Sequence, residues 1–358
     1  MTTPLHALHD LGQAVWLDSI RRSYLAPDGY LTRLVEAREI SGLTSKPTIF
    51  DKALAADDSY GPQLEALAGA DPREALWALM KADVQAACDR FLPRYRETEG
   101  EHGYVSIEVD PTKAFDTEET VSEALLLARE LDRPNLMVKV PGTEPGLAAI
   151  SRLLAEGVNV NVTLLFSVAR YEAVVHAYLE GLRRRAEAGA DLAAVASVAS
   201  FFVSRVDSKV DAILPEGHPS RGTAAVANAR VAYGAFRELF ATPLAEELRA
   251  AGARVQRPLW ASTSTKNPAY SDVLYVEELA GPDTVNTMPE ATLEAFRDHG
   301  TAGDRLTGRS TAARDALAQL AADGVDLDQV TKELETEGVE AFVTSFDSAV
   351  DTVAGHMR

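Results

Sequence analysis

Apolar and polar positions along this chain follow two alternating periods. Short, mostly apolar and often β-branched runs occupy residues 14–19, 41–45, 104–109, 136–140, 158–165, 195–203, 258–262 and 284–288, with turn residues close behind, and they predict eight strands. Between them, apolar residues recur at helical spacing. The run from Thr117 to Leu131 carries acids in its first turn, where a helix dipole favours them, and residues 72–91, 167–185 and 224–250 show the same periodicity. Strands alternating with helices predict an α/β fold with a parallel sheet. Eight such units favour a closed (β/α)8 TIM barrel. Gly-x-Gly-x-x-Gly and Gly-x-x-x-x-Gly-Lys-Ser/Thr are both absent, which removes the commonest reasons to expect an open nucleotide-binding sheet.

Two stretches exceed what a barrel needs. Residues 51–103 are long for a strand-to-strand connection and read as added helices over the barrel. Residues 308–358 are largely helical and amphipathic, and they either pack over a barrel end or meet a partner chain, as in a homodimer. Residues 214–222 are the clearest loop. No low-complexity segment, short repeat or linker-like composition divides the sequence, so residues 1–358 are expected to form one barrel domain with these helical additions.

Composition narrows the function. At 46% hydrophobic and 25% charged residues the chain is ordinary for a soluble globular protein. Its formal net charge of -19 repels nucleic acid and anionic lipid, so neither is an expected partner. A phosphorylated substrate would meet the same repulsion unless the site gathers its own cations. No apolar run is long enough to span a bilayer, and residues 1–7 lack the basic and apolar regions of a signal peptide, so the expected location is cytoplasmic. Cys88 is the single cysteine and cannot form an internal disulfide. The seven histidines are scattered, giving no expected metal site, and there is no nucleophile elbow for a Ser-His-Asp hydrolase. Covalent amine catalysis, without a cofactor, is what remains.

Lys139 supplies the amine. It lies in Asn135-Leu-Met-Val-Lys-Val-Pro-Gly-Thr143, where Leu136, Met137 and Val138 cannot solvate an ammonium. A lysine so placed is paired, faces a cavity, or gives up its proton to become a nucleophile. The alternative is a strand-end lysine pointing at solvent. Other polar residues fall at strand ends, where barrels keep their chemistry: Asp18, Lys46, Glu108, Asn161, Thr163, Ser200 and Ser262. Asn159, Asn161 and Thr163 share one strand face. Asp18 and Glu108 are suited to proton transfer, or to ion pairing with a buried base. Arg205 and Lys266, after the sixth and seventh strands, are suited to phosphate, or to internal salt bridges.

Taken together, Val15-Trp-Leu-Asp18, Ser41-Gly-Leu-Thr-Ser-Lys-Pro-Thr-Ile-Phe50, Ser106-Ile-Glu-Val-Asp110, Met137-Val-Lys-Val-Pro141, Asn161-Val-Thr-Leu-Leu-Phe166, Trp260-Ala-Ser-Thr-Ser-Thr-Lys-Asn-Pro268 and Asp283-Thr-Val-Asn-Thr-Met-Pro289 make the chain resemble the transaldolases, in their longer, actinobacterial form. The resemblance implies a metal-free barrel enzyme of the pentose phosphate pathway. Such an enzyme moves a dihydroxyacetone unit from sedoheptulose 7-phosphate to glyceraldehyde 3-phosphate. It further implies Lys139 as the Schiff-base lysine, Asp18 as the acid/base at the C4 hydroxyl, and Glu108 with Thr163 as holders of a proton-shuttling water. Asn161, Ser200 and Phe202 would shape the three-carbon site, and Arg205, Ser262 and Lys266 would bind phosphate, with Lys266 standing where arginine is common.

One position departs from the pattern. The family's second-strand motif usually reads Thr-Ser/Thr-Asn-Pro, and this chain has Thr44-Ser-Lys-Pro47. Lys46 puts a donor-only cation where a neutral amide helps hold the donor sugar. Two other readings therefore stay open: an aldolase with an altered donor or acceptor, and a barrel that binds sugar phosphates without turnover.

Overall fold

A computed structural model describes residues 2–357 of the chain. Eight parallel strands form its centre: β1 (Gln13–Leu17), β2 (Gly42–Thr44), β3 (Tyr104–Glu108), β4 (Leu136–Pro141), β5 (Val160–Leu165), β6 (Ser197–Phe202), β7 (Arg257–Ala261) and β8 (Thr284–Met288). Each pairs with its sequence neighbours, and β8 returns to pair with β1 from Gln13↔Thr284 to Leu17↔Met288, closing the (β/α)8 TIM barrel that the pattern predicts. Every strand residue is buried, because helices cover the outer face while side chains from opposite strands fill the inside. Gly42 lets β1 and β2 approach: a Cβ there would sit 2.5 Å from the Trp16 indole.

The helices mostly follow their sequence signals. Thr117–Leu131 is helical as its pattern predicts, with the Asp116 carboxylate accepting from Glu119 N–H as an N-cap. Residues 224–250 are not one helix, as their spacing predicts, but two, Ala224–Leu239 and Pro243–Ala250. The break lies at Pro243, which has no N–H and clashes with the preceding turn, so it starts a helix rather than continuing one.

Residues 51–103 carry parts of the helix Pro47–Ala56, then Gly61–Ala66, then the long helix Pro72–Glu97. The last helix, Leu327–His356, has 30 residues and packs against Pro47–Ala56, Pro72–Glu97 and the helix Ser204–Ile213, all of which leave the C-terminal side of the barrel or insert beside it. Hydrogen bonds from Thr48 Oγ1 to Ser345 Oγ, at 3.0 Å, and from Ser348 and Thr352 to the Asp51 carboxylate tie it down. Of the residues read as roofing a barrel end or meeting a partner, Leu327–His356 therefore roofs its own barrel, while the helix Ser310–Ala322 packs against Ala224–Leu239 on the outside. No helix among the described residues is long and apolar enough to cross a membrane.

Candidate active site

The C-terminal ends of the strands bring most of the predicted residues to one place, with Glu108, Asn161 and Lys266 off its wall. Asp18, Lys46, Lys139, Thr163, Ser200, Phe202, Arg205 and Ser262 line a single cavity with Thr44, Thr48, Thr287, Ala341, Phe342 and Ser345. Register accounts for the centre. Glu108 on β3 pairs with Lys139 on β4, and Lys139 pairs with Asn161 on β5, so three inward side chains form one layer across adjacent strands.

Lys139 is 4% exposed, which rules out the solvent-facing strand-end alternative. Its Nζ donates to the Ser45 carbonyl at 3.3 Å and lies 3.7 Å from Glu108 Oε2, close enough for attraction and too long for a tight hydrogen bond. The Phe342 ring faces it from the last helix, 5.9 Å away. Both Glu108 carboxylate oxygens and Thr163 Oγ1 are buried without a protein hydrogen-bond partner. Burial pushes the Glu108 pKa up to about 7, against the pull of Lys139 and Lys46 and with the Asp18 charge adding to the rise.

Asp18 has the opposite environment. Its N–H still bonds the Met288 carbonyl at 2.8 Å, which fixes the residue just beyond β1. Oδ1 accepts from Thr44 Oγ1 at 2.9 Å, and Oδ2 accepts from Lys46 Nζ at 2.5 Å. Thr44 Oγ1 also lies 2.7 Å from Thr287 Oγ1, and since Thr44 spends its proton on Asp18, Thr287 is the donor there. Burial works to raise the Asp18 pKa, but the Lys46 cation, the Lys139 charge and the Thr44 hydroxyl prevail and hold it below its ordinary value. Two carboxylates in one site are thus set to different tasks, one near neutral titration and one firmly ionised.

The remaining predicted residues divide. Asn161 lies beneath the cavity, not on its wall: Nδ2 donates to Ser106 Oγ at 3.0 Å and Oδ1 accepts from Ser200 Oγ at 2.7 Å, so it braces Ser200. Arg205 lies over the Phe202 ring, 5.8 Å from its centroid, and makes no ion pair or hydrogen bond among the described residues. Lys266 stands outside the cavity on the loop after β7, and its Nζ bonds only Ser264 Oγ, at 2.7 Å. Partial burial first, then the like charges of Lys46, Arg205 and Lys52, lower the Lys266 pKa. The salt bridges that an acidic protein would be expected to offer these two cations are not made.

Local backbone supports the arrangement. Ser262 holds φ +57 just past β7, and its hydroxyl lies 2.9 Å from Ser204 Oγ beside Arg205. In β5 the register shifts between Val162 and Leu165, with Leu164 at φ +62. Bulges and left-handed non-glycine residues of this kind gather at sites where a strand must re-aim its side chains.

Sequence reasoning did not single out Thr44, Thr287 or Phe342. Thr44 lies inside a quoted motif, two residues before Lys46, and alternation along β2 was the signal that could have found it. Phe342 is far along the chain on an amphipathic helix, and nothing local marks it. No group of three or more His, Cys, Asp or Glu residues suited to a metal ion occurs among the described residues.

The family described as Transaldolase/Fructose-6-phosphate aldolase matches this chain over residues 15–353. A protein named Transaldolase from Parafrankia sp. (strain EAN1pec) is 50% identical over 361 residues, covering 99% of this chain and 98% of that protein. Proteins of the same name from Thermobifida fusca (strain YX), 50% identical with 99% and 98% coverage, and from Acidothermus cellulolyticus, 52% identical with 97% and 95% coverage, are similar over the same extent.

Proposed function

The chain belongs to the transaldolase/fructose-6-phosphate aldolase family and is an enzyme of the transaldolase type, and on that premise we propose that Lys139 forms a Schiff base with a ketose phosphate and passes on its three-carbon end. The donor is sedoheptulose 7-phosphate, the acceptor is glyceraldehyde 3-phosphate, and the products are erythrose 4-phosphate and fructose 6-phosphate, within the pentose phosphate pathway. The observation that carries this reading is the buried Lys139 amine beside a carboxyl group that titrates near neutrality.

The steps follow from the two carboxylates. Glu108 takes a proton from Lys139, and the freed amine attacks the donor carbonyl. Protonated Glu108, through a water shared with Thr163 Oγ1, returns that proton to the carbinolamine hydroxyl, which leaves as water and gives the iminium ion. The unpartnered oxygens of both residues support this pairing. Asp18 then accepts the C4 hydroxyl proton as the C3–C4 bond breaks, and the electron pair is held by the iminium as an enamine. The first aldehyde leaves. The enamine carbon attacks the second aldehyde, Asp18 gives its proton to the new hydroxyl, and the imine hydrolyses in reverse. Ser200, held by Asn161, and Phe202 bound the three-carbon unit. Arg205 and Lys266, with no acidic partner of their own, take the phosphate, and Ser262 completes that end.

Incubation with fructose 6-phosphate and borohydride should leave a reduced adduct that mass spectrometry maps to Lys139. An adduct on another lysine, or none, would refute the assignment. Formation of sedoheptulose 7-phosphate only when erythrose 4-phosphate is added distinguishes transfer from release of free dihydroxyacetone.

A further inference from the structure

Lys46 occupies a position that local rules would not give to lysine. It is the N-cap of the helix Pro47–Ala56, where Ser, Thr, Asp or Asn would accept a first-turn N–H, and its side chain makes no cap. The side chain instead turns into the cavity and places Nζ 2.5 Å from Asp18 Oδ2. The Lys46 side chain is 32% exposed and that of Asp18 9%, so the carboxylate lies deeper than its counter-ion. Thr44 holds the other oxygen from below, backed by Thr287.

We propose that Lys46 is a positioning residue for the Asp18 base: together with Thr44 it grips both carboxylate oxygens, so that the carboxylate meets the C4 hydroxyl ionised and already aimed. The inference rests on the transaldolase reading and deepens it. It moves Lys46 from a sugar-holding role to one exerted through Asp18. A neutral amide at residue 46 would donate a hydrogen bond but would not oppose protonation of Asp18.

Other charges facing Asp18 are Lys139 from β4, Glu108 from β3 and, more distantly, Lys266 from the loop after β7. Lys46 is the one in direct contact, and it heads the causes that hold the Asp18 carboxyl down against burial. Removing its charge should therefore make Asp18 protonate at higher pH and bring the acid limb of turnover upward.

The test is the pH profile of kcat/KM for fructose 6-phosphate with erythrose 4-phosphate, from pH 5 to 9, for the natural enzyme and for Lys46→Met, Lys46→Asn and Lys46→Arg. The ratio of kcat/KM at pH 5 to that at pH 8 should fall about threefold to tenfold in the Met and Asn variants, because burial that Lys46 no longer opposes lifts a carboxyl by ~2 units or more, past pH 5, and beyond that point each further unit is tenfold in ionised fraction. It should stay near the natural value in the Arg variant. Because Lys46 also acts on Glu108, the comparison is repeated in a Glu108→Gln background, where the fall should persist. An unchanged ratio in Lys46→Met and Lys46→Asn, whatever happens to kcat, overturns the proposal, and so does a fall that vanishes in the Glu108→Gln background. Borohydride trapping on Lys139 reports separately on folding and on the underlying reading. A natural enzyme that fails to trap removes the transaldolase mechanism, whereas trapping with an unchanged ratio removes only the role of Lys46.

Discussion

Glu108, proposed above as the proton carrier, also ties stability to pH. In the folded protein its carboxyl holds a proton up to about 7, while an unfolded chain releases it near 4.5. Between those values the native state binds more protons than the unfolded one, so stability falls as pH rises through the window and levels off above it. The shift amounts to about 3 kcal/mol for this fully buried group. Glu108→Gln should abolish that fall, which urea unfolding at pH 4.5 and pH 8 would detect as a smaller difference than in the natural enzyme. With Glu108 moving the carbinolamine proton as proposed, the same variant should lose about a hundredfold in kcat, the order that such proton transfer contributes. Full activity in Glu108→Gln would assign the proton to another group.

Among elements, the last helix has the most to say about outcome. Phe342 is 4% exposed and its ring faces Lys139, which places it to keep water from the imine proposed there. Phe342→Ala should destabilise the protein by about 3 kcal/mol and raise the share of free dihydroxyacetone relative to transferred product. A product ratio equal to that of the natural enzyme, read by a coupled dihydroxyacetone assay, would show that the ring is only packing. The strands were legible because each is a short apolar run with its polar residues at the end that faces the cavity, and Lys139, Glu108 and Asp18 stood out as charges in such runs. Helix limits were less so, since a 3.6-residue period ran through Pro243 without registering the break. The role of Leu327–His356 was legible only as one of two alternatives, a roof over a barrel end or a face for a partner. Amphipathicity says that one face is covered, and only the fold says that Phe342 covers Lys139.

Across the whole molecule, a net charge of -19 sets the terms for an anionic substrate. The cavity answers with Arg205 and the loop after β7 with Lys266, neither neutralised by a carboxylate among the described residues. Hydrogen bonds to charged groups contribute about 1.5–3 kcal/mol, so Arg205→Ala should raise KM for erythrose 4-phosphate about tenfold to a hundredfold. It should change KM for unphosphorylated erythrose far less. Equal effects on both aldehydes, measured at fixed ionic strength, would place Arg205 in a structural role instead.

The bonds that fasten Ser345, Ser348 and Thr352 to Thr48 and Asp51 also bear on how the protein is made. A ribosome delivers Asp18, Glu108 and Lys139 long before it delivers Phe342. During translation a nascent barrel would present the Lys139 amine to solvent without a roof, and it would cover that amine only as the closing segment emerges and is stitched back onto residues synthesised much earlier.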